Sequence, residues 1–373
     1  MSSVNVLLGP RSYEIRIVHG EGPGAFGSFA RGALELTWAG RGCRAGLVVT
    51  DANVERLATD YAGGLTAAGI AAPLEVVPPG EASKSLERAS ALLGRLVELK
   101  ADRHTVVVAV GGGVVGDLAG FVAATYARGL PLLMVPTSLL AQVDSSVGGK
   151  VGINHPGAKN IIGAFHQPSG VWIDTANLAT LPPRELRCGL AEVVKYGMIL
   201  DAAFFETLER EAAAILGGEP GPIRRAIARC CELKADVVSR DEREETGLRA
   251  VLNFGHTVGH AIEAVAGYGG AYQHGEAVSV GMVAESRLAE RLGWITPGVT
   301  GRLVALLGRF GLPVAAPRLD VDALIAAMGR DKKNRGGRIR FVLPREIGLV
   351  EEAEAPEALI RAVVSEGDGG PGS

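Results

Sequence analysis

Aromatic residues are scarce in this chain, 5% of 373 residues, and neither sign of charge dominates: 38 Lys and Arg face 41 Asp and Glu, for a formal net charge of −3. Binding along a nucleic-acid backbone needs a strongly basic stripe and base stacking needs rings, so no nucleic-acid partner is expected and any anionic ligand must be met locally. Long hydrophobic runs are also missing. Gly, Asp or Arg breaks each apolar stretch before it reaches membrane-spanning length, and Met1 to Asn5 carries no basic segment ahead of an apolar one. No membrane partner and a cytoplasmic location are therefore expected. The four cysteines, Cys43, Cys188, Cys230 and Cys231, have no C-x-x-C spacing, and the adjacent pair cannot easily close a local bridge. Reduced, structural thiols are expected. What the chain does have is 47% hydrophobic and 21% charged residues, the balance of a globular enzyme long enough for two domains, which excludes disorder and coiled coil.

The first half alternates between two periodicities. Ser12 to Val18, Gly46 to Asp51, Leu74 to Val77, Thr105 to Val110, Leu132 to Val135 and Val171 to Asp174 read as strands, with helical patterns at Val54 to Ala68, Ser85 to Leu99 and Gly116 to Ala124. Apolar strands separated by helices imply a mostly parallel, Rossmann-like sheet covered on both faces. After Leu181-Pro182-Pro183-Arg184-Glu185 the texture becomes helical: Glu185 to Leu200, Pro222 to Arg240, Val251 to Val265, Glu276 to Leu292, Gly298 to Phe310 and Val321 to Met328. The expected organisation is an α/β domain over residues 1–180, an all-α domain over 181–364 and a Gly-rich disordered tail over 365–373.

Three of the seven histidines fall in one stretch, Asn253-Phe254-Gly255-His256-Thr257-Val258-Gly259-His260 and then His274-Gly275-Glu276. On a helix the four-residue step places His256 and His260 on one face, and His274 opens the next amphipathic run, so the three can meet. Neutral imidazoles at this spacing suit zinc or a similar divalent ion. A lone pair of this kind is more often plain packing, and it is the third histidine that shifts the balance. Thr257 stands where a His-Glu-x-x-His protease needs its Glu, which argues against a zincin.

Upstream, the apolar run Thr105 to Val110 ends in Gly111-Gly112-Gly113 and a helix start, a turn whose backbone N–H groups can approach a pyrophosphate, although it meets the G-x-G-x-x-G fingerprint only loosely. Arg128, Lys150 and Lys159-Asn160 stand in glycine- or turn-rich contexts and together imply an oxyanion pocket. Asp144, between apolar and small residues, needs a task or a partner.

Eight blocks, Pro79 to Ser85, Gly111 to Gly120, Pro136 to Asn154, Lys159 to Phe165, Gly189 to Gly197, Asn253 to His260, His274 to Glu276 and Asp331-Lys332-Lys333, resemble in this order the 3-dehydroquinate synthase family of the shikimate pathway, over about Ser12 to Val350. The resemblance implies an NAD-binding α/β domain followed by a helical metal- and substrate-binding domain. It implies NAD and zinc (or cobalt) as cofactors, a sugar phosphate substrate and a homodimer. Glu192, His256 and His274 would bind the metal, with His260 beside the substrate. Asp144, Lys150, Lys195, Lys234, Arg249, Asn253 and one of Lys332 and Lys333 would also contact substrate, and Arg128, Lys150, Lys159 and Asn160 its phosphate. Asp51, Asn53, Glu81, Lys84, Gly112, Gly113, Asp117, Thr137, Ser138, Lys159, Thr180 and Glu185 would line the cofactor. Carboxylates near a dinucleotide usually meet ribose hydroxyls, which favours NAD over NADP.

The implied reaction converts 3-deoxy-D-arabino-heptulosonate 7-phosphate to 3-dehydroquinate and phosphate by transient oxidation, phosphate elimination, reduction, ring opening and intramolecular aldol closure. Two related readings stay open: cyclases of secondary metabolism of the aminodehydroquinate or valiolone type, and metal-dependent polyol dehydrogenases. The valiolone type departs at Gly148-Gly149-Lys150 and Lys159-Asn160, which here keep the dehydroquinate form, and the cations are hard to explain for an uncharged alcohol. A non-catalytic descendant would have no reason to keep all the motifs.

Overall fold

The structure, a computed structural model, describes residues 1–38, 42–267, 271–315, 319–330 and 338–365. Asp331, Lys332, Lys333 and residues 366–373 of the expected tail lie outside the described residues; Ser365, expected in that tail, closes the last helix.

In chain order the first part comprises β1 (Ser2–Val6), β2 (Tyr13–Val18), α1 (Gly22–Thr37), β3 (Ala45–Asp51), α2 (Glu55–Ala67), β4 (Leu74–Val77), α3 (Leu86–Glu98), β5 (Thr105–Gly111), α4 (Gly113–Thr125), β6 (Leu132–Pro136), β7 (Lys150–His155), β8 (Ala158–Phe165) and β9 (Gly170–Asp174). The remainder comprises α5 (Pro183–Leu200), α6 (Ala202–Leu216), α7 (Pro220–Arg240), α8 (His256–Val265), α9 (His274–Arg291), α10 (Pro297–Arg309), α11 (Val321–Gly329), β10 (Arg340–Glu346), β11 (Leu349–Glu354) and α12 (Glu357–Ser365). Two compact units form, residues 1–182 with 223–243, and 183–222 with 244–373. Most of α7 thus belongs to the first unit, although its periodicity groups it with the helical half.

The first unit is built on a seven-stranded sheet in the order β1-β2-β9-β6-β5-β3-β4. All pairs are parallel except β1 with β2. Every residue of β5, Thr-Val-Val-Val-Ala-Val-Gly, is buried, as a strand covered on both faces requires. From β3 the chain runs one way to β4 and returns on the other side as β5, so the carboxyl ends of β3 and β5, Asp51 and Gly111, flank the point where the strand order reverses. Open α/β sheets bind ligands at such points. The core includes Phe26, Phe29, Tyr61 and Trp172, with Phe26 edge-on to Tyr61 at 5.0 Å between centroids. Helix α1 escapes the periodicity reading because its glycines dilute the apolar stripe. Gly27 is needed there, since a Cβ would lie 2.2 Å from Gly64 O of α2.

The second unit is helical, around Ile262, Val280, Leu288, Leu324, Met328 and Ile360. It also carries the antiparallel hairpin β10–β11, whose Phe341 and Leu343 enter the same core. Among the described residues, no helix is long and apolar enough to cross a membrane.

Candidate active site

In the second unit three helices bring the expected metal set together. Gly255, two residues after a short 3₁₀ turn, has φ +80°, a left-handed value that glycine adopts without penalty, and α8 starts at once with His256. A Cβ at Gly255 would lie 2.5 Å from Met282 Cγ, and one at Gly281 would collide with Gly255 O, so α8 and α9 touch backbone to backbone here. The rings of His256 and His260 are 5.2 Å apart, and that of His274, first residue of α9, lies 5.3 and 6.0 Å from them. Glu192 of α5 is fully buried and reaches this cluster: its Oε1 is 3.7 Å from His256 Nε2 and 3.5 Å from His274 Nε2. One donor atom from each of Glu192, His256 and His274 lies within 4.8 Å of the others. His260, Glu263 and His274 form a second such group.

The donor chemistry of the first group fits a divalent ion of the zinc or cobalt class. Its outer bonds fit too. His256 Nδ1 lies 3.1 Å from Phe254 O and His274 Nδ1 3.1 Å from Glu263 Oε2, which leaves both Nε2 atoms on the side of Glu192. Burial works against a charged His274, but its bonds to Glu192 and Glu263 outweigh that and push its pKa up to about 9. Lys195, one turn along α5 and also buried, pairs with Glu192 Oε2. Arg249 is buried with Nε 3.7 Å from Glu244 Oε1, Asn253 Nδ2 donates to Ala250 O at 3.1 Å, and His260 is exposed. Glu185 accepts from Gln273 Nε2 at 2.5 Å, beside His274.

In the first unit, Gly112 is the residue before α4 and, having no side chain, gives that helix no side-chain cap at the end of β5. Thr137 and Ser138 follow β6 next to this turn, Thr137 N donating to Gly111 O at 3.0 Å. Asp51 closes β3 and accepts from Asn53 N at 2.8 Å. Lys84 is buried and holds Asp117 Oδ2 at 2.7 Å, Asn160 Oδ1 at 2.5 Å and Glu81 at 3.5 Å. Burial raises the Asp117 pKa and the Lys84 ammonium opposes it. Thr180 ends the 3₁₀ segment after β9.

The expected phosphate residues occupy more regular structure than their glycine-rich context implies. Lys150 opens β7 opposite Phe165, whereas Lys159 and Asn160 sit near the other end of the hairpin in β8. About 13 Å of strand rise separates Lys150 from Asn154 and its neighbour Asn160. Asn160 adopts φ +52° and is held there by Asn154 Oδ1, which accepts its N–H at 2.8 Å. Arg128 is exposed on a left-handed turn after α4. Asp144 has its partner: Lys234 Nζ contacts both its carbonyl and Oδ1 at 2.6 Å.

Family models for the 3-dehydroquinate synthase N-terminal and C-terminal regions match residues 74–188 and 189–334. The chain belongs to the 3-dehydroquinate synthase family. It is 49% identical over 348 residues to the 3-dehydroquinate synthase of Pelobacter propionicus, covering 93% of this chain and 94% of that one. To that of Desulforamulus reducens it is 50% identical over 323 residues, 86% of this chain and 89% of the relative. Among solved structures it is similar to a 2-deoxy-scyllo-inosose synthase complexed with carbaglucose-6-phosphate, NAD+ and Co2+ (TM-score 0.84, 26% identity, 98% of this chain and 100% of that one). It is also similar to the 2-epi-5-epi-valiolone synthase of Streptomyces hygroscopicus subsp. jinggangensis with NAD+ and Zn2+ bound (TM-score 0.83, 28% identity, 98% of each). The glycerol dehydrogenase of Schizosaccharomyces pombe, 18% identical with TM-score 0.64 over 94% of this chain and 88% of that one, shares the fold.

For a member of this family, three residues at the site went unnoticed in the sequence. Glu263 binds His274, Glu285 of α9 accepts from Gly255 N and Val258 N at the start of α8, and Asn154 joins Asn160 to Glu81 Oε1. Glu285 carries a signal that could have found it, a carboxylate among the apolar positions of its helix, and Glu263 another, its place three residues after His260 and seven after His256 on the same helical face; Asn154 carries none.

Proposed function

We propose that the chain converts 3-deoxy-D-arabino-heptulosonate 7-phosphate to 3-dehydroquinate and inorganic phosphate, with the first unit binding NAD and the second the metal. The observation that carries this reading is the meeting of Glu192, Lys195, His256 and His274 in a chain half identical to named 3-dehydroquinate synthases. When bound, NAD and a divalent ion such as zinc or cobalt supply reversible oxidation of a secondary alcohol and its polarisation.

This chain's own residues do the rest. Glu192, His256 and His274 hold the ion. Lys195 offers an ammonium one helical turn from Glu192, and Arg249 a guanidinium fork suited to the substrate carboxylate. Asp144, Lys234, Asn253 and His260 complete the polar contacts to the sugar hydroxyls. Arg128, Lys150, Lys159 and Asn160 orient the phosphate so that, as it leaves, it can itself take the proton from the neighbouring carbon, and no further base is required. Asp51, Asn53, Glu81, Lys84, Asp117, Thr137, Ser138, Thr180 and Glu185 line the cofactor, with Gly112 and Gly113 at its pyrophosphate.

The reading includes a homodimer and a cytoplasmic setting; exposed Ile161 and Phe165 on β8 support the first and four unbridged thiols the second. Incubation with the heptulosonate phosphate, following phosphate release and carbocycle formation together, tests the function. Release of phosphate without the carbocycle, or turnover only of the amino analogue, would overturn it.

A further inference from the structure

His256 and His274 each begin a helix, and each of those helix starts is held by a buried carboxylate from the other helix. Glu263 lies on α8 and its Oε2 meets Nδ1 of His274, the first residue of α9, at 3.1 Å. Glu285 lies on α9 and accepts from the N–H groups of Gly255 at 2.7 Å and Val258 at 3.3 Å, on either side of His256. Their relative exposures are 7% and 0%. Carboxylates so deeply buried destabilise a fold unless strong donors meet them. Here the donors are the ring and the backbone that carry the two metal-ligand histidines.

We infer that Glu263 and Glu285 are positioning residues of the metal centre, a reciprocal clamp in which each helix supplies the carboxylate that fixes the other's ligand; this rests on the metal set proposed above. Accepting from Nδ1–H, Glu263 sets the tautomer that leaves the His274 Nε2 lone pair toward Glu192 and makes that nitrogen a stronger donor. Glu285 acts through the backbone. It satisfies two orphan amides at the positive end of α8 and so fixes the Cα from which His256 projects. The near contact of Gly255 with Gly281 leaves the two helices little room to shift independently.

The test is Co2+ titration of the metal-free full-length protein, read by visible absorption and by the number of ions bound, below the melting temperature of every variant. Glu263→Ala is expected to keep one ion per chain but raise its Kd about ten- to a hundredfold, with Glu263→Gln recovering part of the loss because its carbonyl still accepts Nδ1–H. Glu285→Gln, which turns an amide NH2 toward one of the two backbone donors, is expected to raise Kd as well. Should it not fold, Glu285→Asp, shortened away from the Val258 N–H, takes its place. Kd values for Glu263→Ala and the Glu285 variant within threefold of the unsubstituted protein, alongside loss of the ion in His256→Ala, would overturn the clamp and leave the metal set standing. A lower number of ions bound by Glu263→Ala at saturating Co2+ would make Glu263 a ligand and overturn it also. Unchanged affinity in His256→Ala would instead defeat the metal set itself.

Discussion

Lys234→Met isolates one charge in the first unit. The Lys234 side chain is 6% exposed, and its ammonium holds the Asp144 carbonyl and Oδ1 at 2.6 Å. Methionine keeps the volume of the apolar stem and removes the charge. Breaking a fully buried pair from one side costs about 3–5 kcal/mol. The Asp144 side chain is 28% exposed, so water can reclaim part of its carboxylate and about 2–3 kcal/mol is expected. For a cooperative unit of about 200 residues, melting falls by about 2–4 °C per kcal/mol, giving a drop of about 4–12 °C. Calorimetry or circular dichroism on the full chain reads this directly. Adding Asp144→Asn to Lys234→Met should restore much of the loss, because no carboxylate is then left without its ammonium. A fall under about 2 °C, or a double variant whose losses simply add, would refute this account of the pair.

Other outcomes follow from the site. Alanine at Glu192, His256 or His274 should remove metal and activity together while His260→Ala keeps the metal; elemental analysis checks this, and the reverse pattern for His256 and His260 would reassign the ligands. Steady turnover should produce no net reduced nicotinamide, since the hydride removed early is returned, and stoichiometric accumulation in an absorbance assay would make the chain a dehydrogenase. Lys150→Ala should lower kcat/KM about thirty- to a thousandfold, the loss of about 2–4 kcal/mol from a charge-assisted phosphate contact, and a loss below about threefold would remove Lys150 from the phosphate site.

The parallel strands were legible because covered strands are nearly unbroken apolar runs, and β4 lies where Leu74 to Val77 reads as a strand. Glycine hid the β7–β8 hairpin. Gly152 and Gly163 interrupt the alternation of β7 and β8, so Lys150 and Asn160 read as loop residues when they are strand residues. The apolar spacing from Val251 to Val265 continues across the left-handed turn at Gly255, which is why one helix was expected where a 3₁₀ turn and α8 stand. Within the metal cluster, spacing alone pointed to His256 with His260. Glu192 comes from a helix far away in sequence, and no local pattern ties it to them; only the resemblance supplied it. Periodicity also shows that a helix buries a stripe without showing which core receives it, and α7 illustrates that limit.

The return of α7 to the first unit has a consequence during synthesis. Asp144 and Lys234 are 90 residues apart, so at about 5–20 residues per second the carboxylate is made roughly 5–18 s before its ammonium. Throughout that interval the emerging chain is already adding α5 and α6, which belong to the other unit. The sheet can pair early, but the first unit cannot close on a strictly N-to-C schedule. A fragment ending at Pro182 would carry every strand of the seven-stranded sheet and still lack the lysine that answers Asp144. Any attempt to produce the first unit alone must therefore graft residues 223–243 onto it rather than simply stop the chain at the helical boundary.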